Sequence, residues 1–170
     1  MRLKEVLHLF SAVQEELEQL GRLKLLLEEK GFFTADRAKK VLSNEIILRG
    51  VAGILQDYYS GVERLFKRIA LEVDEKLPKG ESWHKELLSQ MKREIPGLRP
   101  PVISHETFQL LDGLRGFRHR VGNIYAFDLV PQKVAPHLFT LPEIDARLRQ
   151  DVTSFLFLLK KSAEEEIERE

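Results

Sequence analysis

Leu114-Arg115-Gly116-Phe117-Arg118-His119-Arg120-Val121-Gly122-Asn123-Ile124-Tyr125 is the stretch around which the chain is organised. At roughly 100° per residue it predicts a helix with two unlike faces. Leu110, Leu114, Phe117, Val121 and Ile124 step by four, three, four and three and form an apolar stripe. Tyr125 and Arg118 border the stripe. Gly122, Arg115, His119 and Asn123 continue round the far side, with Asp112 one turn above. A helical glycine costs about 1 kcal/mol against alanine, so Gly122 in that polar surface points to close packing there. Glu and Lys would be the ordinary residues of a merely solvated face.

The same three-four alternation recurs outward in both directions. Val6, Phe10, Val13, Leu17, Leu20, Leu23 and Leu27 predict a helix over about 2–30, ended by Gly31. Thr34 is placed to cap a second helix that begins near Ala35 and runs to about Lys76. Its stripe is Leu48, Val51, Leu55, Tyr58, Val62, Leu65 and Ile69, and Gly50 to Gly53 mark the expected break. After the Leu77-Pro78-Lys79-Gly80 turn, Ser82 is placed to cap a short helix from Trp83 to about Glu94. Ile95 to Pro101 is a stiff connector, and Ser104 caps the motif helix. A last helical region covers about Pro131 to Glu168, with a break expected near Thr140-Leu141-Pro142 and a frayed acidic tail over about 164–170. The expectation is one all-α domain over 1–170, an up-and-down bundle of four long helices plus a short one.

Composition narrows the function classes. At 170 residues the chain has room for one domain with a proper core and is short for two. Its 43% hydrophobic and 32% charged residues are those of a helix-rich globular protein. The formal net charge is zero, so any nucleic-acid binding would rest on the local patch of Arg115, Arg118, His119 and Arg120. With no cysteine, disulfides, thiolate metal sites and a cysteine nucleophile are excluded. Glycine-rich phosphate loops and metalloprotease motifs are absent, so no cofactor is expected. His8, His84, His105, His119 and His137 are scattered, so no metal site is expected either. No apolar run approaches ~18 residues, and Met1 to Glu5 is not the start of a signal peptide. A cytoplasmic location without membrane contact follows.

His119 alone among the histidines has polar company. His84 beside Trp83 reads as a structural pair, and Tyr58 and Tyr59 read as packing. For Arg118, His119 and Asn123 two readings stay open. One is a salt-bridged surface or a polar seam between subunits. The other is RNA cleavage through the 2′-hydroxyl, which needs proton transfer and cationic donors on the phosphate. Histidine supplies the first and arginine the second, since arginine stays charged and cannot act as a base. A two-fold pairing of identical helices would bring two imidazoles and several guanidiniums to one groove, with Gly122 permitting the approach.

At these residues the chain resembles the HEPN superfamily, and within it the HepT-like toxins encoded beside a minimal nucleotidyltransferase antitoxin. The resemblance runs over roughly residues 40 to 160. It rests on Tyr58-Tyr59-Ser60-Gly61-Val62-Glu63-Arg64-Leu65-Phe66, the Leu77-Pro78 turn, Trp83-His84, Leu87-Leu88, Met91, Arg99-Pro100 and Phe117-Arg118-His119 to Tyr125. The family motif is an arginine, a polar residue, three more residues, a histidine, one residue and a tyrosine. Arg118, His119 and Tyr125 match it, and Asn123 stands where the histidine is expected. The resemblance implies a homodimer whose paired motifs form a metal-independent endoribonuclease site, with Arg118, His119 and Asn123 at its centre and Arg115 and Arg120 on the RNA. It also implies a nucleotidyltransferase partner that silences the toxin by adding AMP to Tyr125. With asparagine in the histidine's place, either His119 takes over proton transfer, or the chain is a weak or inactive nuclease that keeps the dimer and partner surfaces.

Overall fold

The computed structural model describes residues 1–122, 125 and 128–168, without the side chains of Lys40 and Val41. Among these residues the order is α1 (Leu3–Glu29), α2 (Ala35–Leu42), α3 (Glu45–Glu72), α4 (Trp83–Lys92), α5 (His105–Val121) and α6 (Pro131–Glu168). The fold is all-α. Four long helices, α1, α3, α5 and α6, carry the bundle.

Cross-helix contacts fix the directions. Glu16 bonds Arg64 and Leu20 lies against Gly61, so α1 and α3 run antiparallel. Phe10 meets Phe157 while Leu17 meets Arg149, which sets α6 antiparallel to α1. Arg118 against Glu63 and Gly122 near Gln56 do the same for α5 and α3. Phe117 against His137 and Thr107 against Asp151 complete the set for α5 and α6. The up-and-down expectation holds, with α3 at the centre, touching every other helix.

The seams are those the spacing predicts, with small changes of phase. On α1, Val6, Val13, Leu17, Leu20 and Leu27 are buried together with Leu9, while Phe10 and Leu23 are only partly covered. On α3 the whole stripe from Leu48 to Ile69 is buried. On α5 the core residue is Leu111 instead of Leu110, followed by Leu114, Phe117 and Val121. Gly61 has a packing reason to be glycine, since a Cβ there would lie 2.5 Å from Leu20 Cδ2.

The structure corrects four local expectations. The second helix breaks at Ser43-Asn44, where the Asn44 carboxamide accepts from the amides of Ile46 (3.0 Å) and Ile47 (3.2 Å). An asparagine N-cap satisfies two orphan donors, whereas Gly50 and Gly53 face open space and let the helix continue. Thr34 does not cap α2 with its side chain: the hydroxyl turns back to donate to the Gly31 carbonyl at 2.9 Å. Ser82 stands at the N-cap of α4 but makes no capping side-chain bond. The final helix is unbroken through Pro136 and Pro142. An interior proline costs about 3 kcal/mol, and burying a leucine returns roughly 1.5–3. Leu138, Leu141, Ile144 and Leu148 are all fully covered, so core burial outweighs the lost bonds.

The fifth correction bears on the site. The motif helix ends at Val121, with Gly122 as its C-cap donating to the Arg118 carbonyl at 3.1 Å. The chain must reverse before Pro131 opens α6, because α5 and α6 pack antiparallel. Proline at the first helical position suits that start. Gly122 is therefore not a mid-helix glycine, and a Cβ there would meet nothing closer than 3.4 Å. Tyr125 is described outside any helix, and the expectations for Asn123 and Ile124 lie outside the described residues. No helix among the described residues is long and apolar enough to cross a membrane.

Candidate functional site

The site begins on α3 with a carboxylate in a core stripe. Tyr59, Glu63, Phe66 and Ala70 are spaced by four, three and four, and all four are buried. Glu63 is 4% exposed. An ionised carboxylate at such a position needs opposite charge and hydrogen bonds to be tolerated. Two other helices supply them.

After α3 the chain turns through Gly80, whose φ of +92° suits glycine, and α4 starts against α3 with Trp83-His84. His84 Nδ1 lies 2.5 Å from Glu63 Oε1. From α5, Arg118 Nη1 reaches Glu63 Oε2 at 3.1 Å and comes within 3.4 Å of His84 Nδ1. One buried carboxylate thus holds an imidazole on one oxygen and a guanidinium on the other. Both basic side chains keep 31% of their surface in contact with solvent. The His84 ring packs at a tilt against Trp83, 3.6 Å between centroids, and Lys67 Nζ lies over the same indole at 3.9 Å.

Tyr59 lies buried beside this group. Burial, reinforced by the Glu63 charge, pushes its phenol well above the usual tyrosine range, so it stays protonated. Arg115, one turn before Arg118, is half-buried and bonds Asp112 at 2.8 Å. His119 and Arg120 follow Arg118 on the exposed last turn of α5, where basic residues complement the helix dipole. Arg120 faces the other side of the helix end. It helps to hold the His137 imidazole below its ordinary pKa, burial being the larger cause. Tyr125 is 73% exposed beyond the end of α5. Among the described residues no three His, Asp or Glu side chains converge as metal ligands would.

A family model for HepT-like proteins matches residues 50–159, from the first turns of α3 to the second half of α6. The chain belongs to the HepT-like family. No curated protein and no solved structure matches it. The matched span of this HepT-like chain contains Glu63, His84, Arg115, Arg118, His119, Arg120 and Tyr125.

Of the residues singled out in the sequence, the structure brings Arg118 into a built cluster, ties Arg115 to Asp112, and leaves His119, Arg120 and Tyr125 at the surface. Glu63 and His84 were missed as site residues. Glu63 does carry a signal, being a carboxylate in the second buried stripe of α3. His84 carries none beyond its neighbour, because the residue that orients it lies 21 positions away.

Proposed function

We propose that this HepT-like protein is the toxin of a toxin–antitoxin pair, a metal-independent endoribonuclease that cuts cellular RNA in the cytoplasm. Its site is a groove formed by two copies of the chain. Arg118 is the cation on the scissile phosphate, and His119 and Asn123 are the other catalytic residues. Arg115 and Arg120 contact the RNA backbone. A nucleotidyltransferase antitoxin neutralises the toxin by adding AMP to Tyr125, placing negative phosphate against the arginines.

The observation that carries this reading is Arg118, fixed through Glu63 on the turn that also exposes His119 and Arg120. A guanidinium is always charged and offers a planar fork to phosphate, which suits stabilising charge that builds up during cleavage. Tyr125, 73% exposed, is accessible to a modifying enzyme. The test is expression of the chain alone beside Arg118→Ala and His119→Ala, with purified protein assayed on RNA. Toxicity and cleavage are expected from the natural chain and loss of both from Arg118→Ala. Equal harmlessness of all three, with RNA left intact, rejects the reading.

Asn123 supports a second reading, a non-catalytic dimer that serves as a binding module for the nucleotidyltransferase. Cleavage that appears only in Asn123→His would favour it.

A further inference from the structure

Resting on the nuclease reading above, we propose that His84, oriented by Glu63, accepts the proton of the RNA 2′-hydroxyl. This is a task the amide of Asn123 cannot perform, since a carboxamide does not take up protons near neutrality.

The argument starts from the 2.5 Å contact between His84 Nδ1 and Glu63 Oε1. With the Arg118 guanidinium on its second oxygen, Glu63 is a carboxylate and only accepts hydrogen bonds. His84 Nδ1 therefore carries the hydrogen, and Nε2 presents a lone pair. That is the tautomer a general base needs, set by an acid behind the ring. The ring is also held in place: Trp83 packs against it at a tilt, and Lys67 lies over the Trp83 ring. Its 31% exposure leaves an edge that substrate can reach.

Arg118 supplies the second half of the argument. Its Nη1 lies 3.4 Å from the same imidazole, so a phosphate on the remaining guanidinium donors brings the adjoining ribose to His84. The charged groups that meet the ring are Glu63 from α3 and Arg118 from α5.

In the step itself Nε2 takes the 2′-hydroxyl proton, the 2′-oxygen bonds to phosphorus, and the bond from phosphorus to the 5′-oxygen breaks. The leaving 5′-oxygen takes a proton from the imidazolium of His119, the residue next to Arg118. The products are a 2′,3′-cyclic phosphate and a 5′-hydroxyl. Exchange with water then returns both imidazoles to their starting states. Glu63 is a positioning residue, acting through His84.

The experiment measures cleavage of a labelled RNA oligonucleotide from pH 5 to 9 by the full chain, His84→Ala, His84→Gln and Glu63→Gln. Melting curves confirm that each is folded. A positioned base contributes about 10²–10⁴-fold, so His84→Ala is expected to lose at least ~100-fold. Its acid limb should disappear, and imidazole added to the buffer should restore part of the rate. Glu63→Gln should keep a weaker activity with its acid limb moved to lower pH, because the imidazole has lost its anion.

His84→Gln keeps a donor for Glu63 and serves if His84→Ala melts early. Folded and inactive, it supports the role; folded and active, it overturns it. His84→Ala with near-normal activity and an unchanged pH profile overturns the role and leaves the nuclease standing. So does a loss that imidazole does not restore and that leaves the acid limb in place. A natural chain that leaves the RNA intact removes the nuclease and the base together.

Discussion

Arg118 meets Glu63 across the α3–α5 contact, Nη1 to Oε2 at 3.1 Å, with the carboxylate side chain 5% exposed and the guanidinium 31%. The inequality of burial decides what the pair does. The anion is trapped and the cation is half in water, so the carboxylate depends on the arginine more than the reverse. Removing Arg118 leaves a buried negative charge with His84 as its remaining partner.

Arg118→Ala should therefore destabilise the fold by about 1–3 kcal/mol, the cost of a buried charged group that loses a partner. Arg120→Ala, two residues on and exposed, should stay within ~0.5 kcal/mol of the natural chain. Urea unfolding of the two variants gives the comparison. Equal stabilities would mean that Glu63 does not need the guanidinium.

Arg99 anchors the connector between α4 and α5 more completely. Its side chain is 0% exposed and that of its partner Asp74 is 1% exposed. Nε bonds Asp74 Oδ1 at 2.5 Å and Nη2 bonds Oδ2 at 2.7 Å. The other N–H groups go to the carbonyls of Arg93, Pro100 and Gln90. All five donors are used, and lysine has three. Arg99→Lys and Asp74→Asn should each cost about 3–5 kcal/mol, as when a buried pair is broken. Thermal melts would show losses of similar size for the two, and a loss confined to one would contradict the pairing.

Two classes of glycine lie on α3. Gly50→Ala and Gly53→Ala place a methyl group in open space and should stabilise the chain by about 0.5–1 kcal/mol through helix propensity. Gly61→Ala drives its methyl to 2.5 Å from Leu20 Cδ2, in a leucine that is 0% exposed. Overpacking of that kind costs about 1–3 kcal/mol and should cancel or exceed the same propensity gain. Denaturant midpoints ranking Gly61→Ala at or above Gly53→Ala would mean that α1 and α3 are not closely apposed there.

His137 gives a pH dependence. Burial, with Arg120 as the smaller cause, holds its pKa below 6.5 in the folded chain. Between that lowered value and 6.5 the unfolded chain binds more protons, so stability falls as pH drops through that window. His137→Leu removes the proton site and fills the place beside Phe117, where the imidazole packs at a tilt, 4.6 Å between centroids. Melts from pH 7.5 to 5 should show a smaller acid-induced loss for His137→Leu than for the natural chain. Parallel curves would place the acid sensitivity elsewhere.

Helix by helix, what could be read from the sequence depended on how local the cause was. The α1 and α3 seams were legible because a three-four alternation encodes a buried face wherever the partner lies. The cap at Asn44 outweighed the glycines at 50 and 53, a competition between two local signals that spacing alone does not rank. Continuity of α6 through Pro136 and Pro142 was not legible at all, because the burial that offsets the prolines comes from α1, α3 and α5. The end of α5 at Val121 was hidden as well, because the apolar stripe continues in sequence to Ile124.

By itself the sequence determined an all-α bundle, the core face of each long helix and the basic turn at Arg118 to Arg120. All of these follow from periodicity within one segment. Only the tertiary structure decided that Glu63, His84 and Arg118 share one buried carboxylate, with His84 21 residues from Glu63 and 34 from Arg118. The pattern of a single helix shows which side chains face inward, but not which inward-facing groups of three helices meet. That is settled when α3, α4 and α5 pack, because a charge excluded from water must find its counter-charge in whichever helix lies against it.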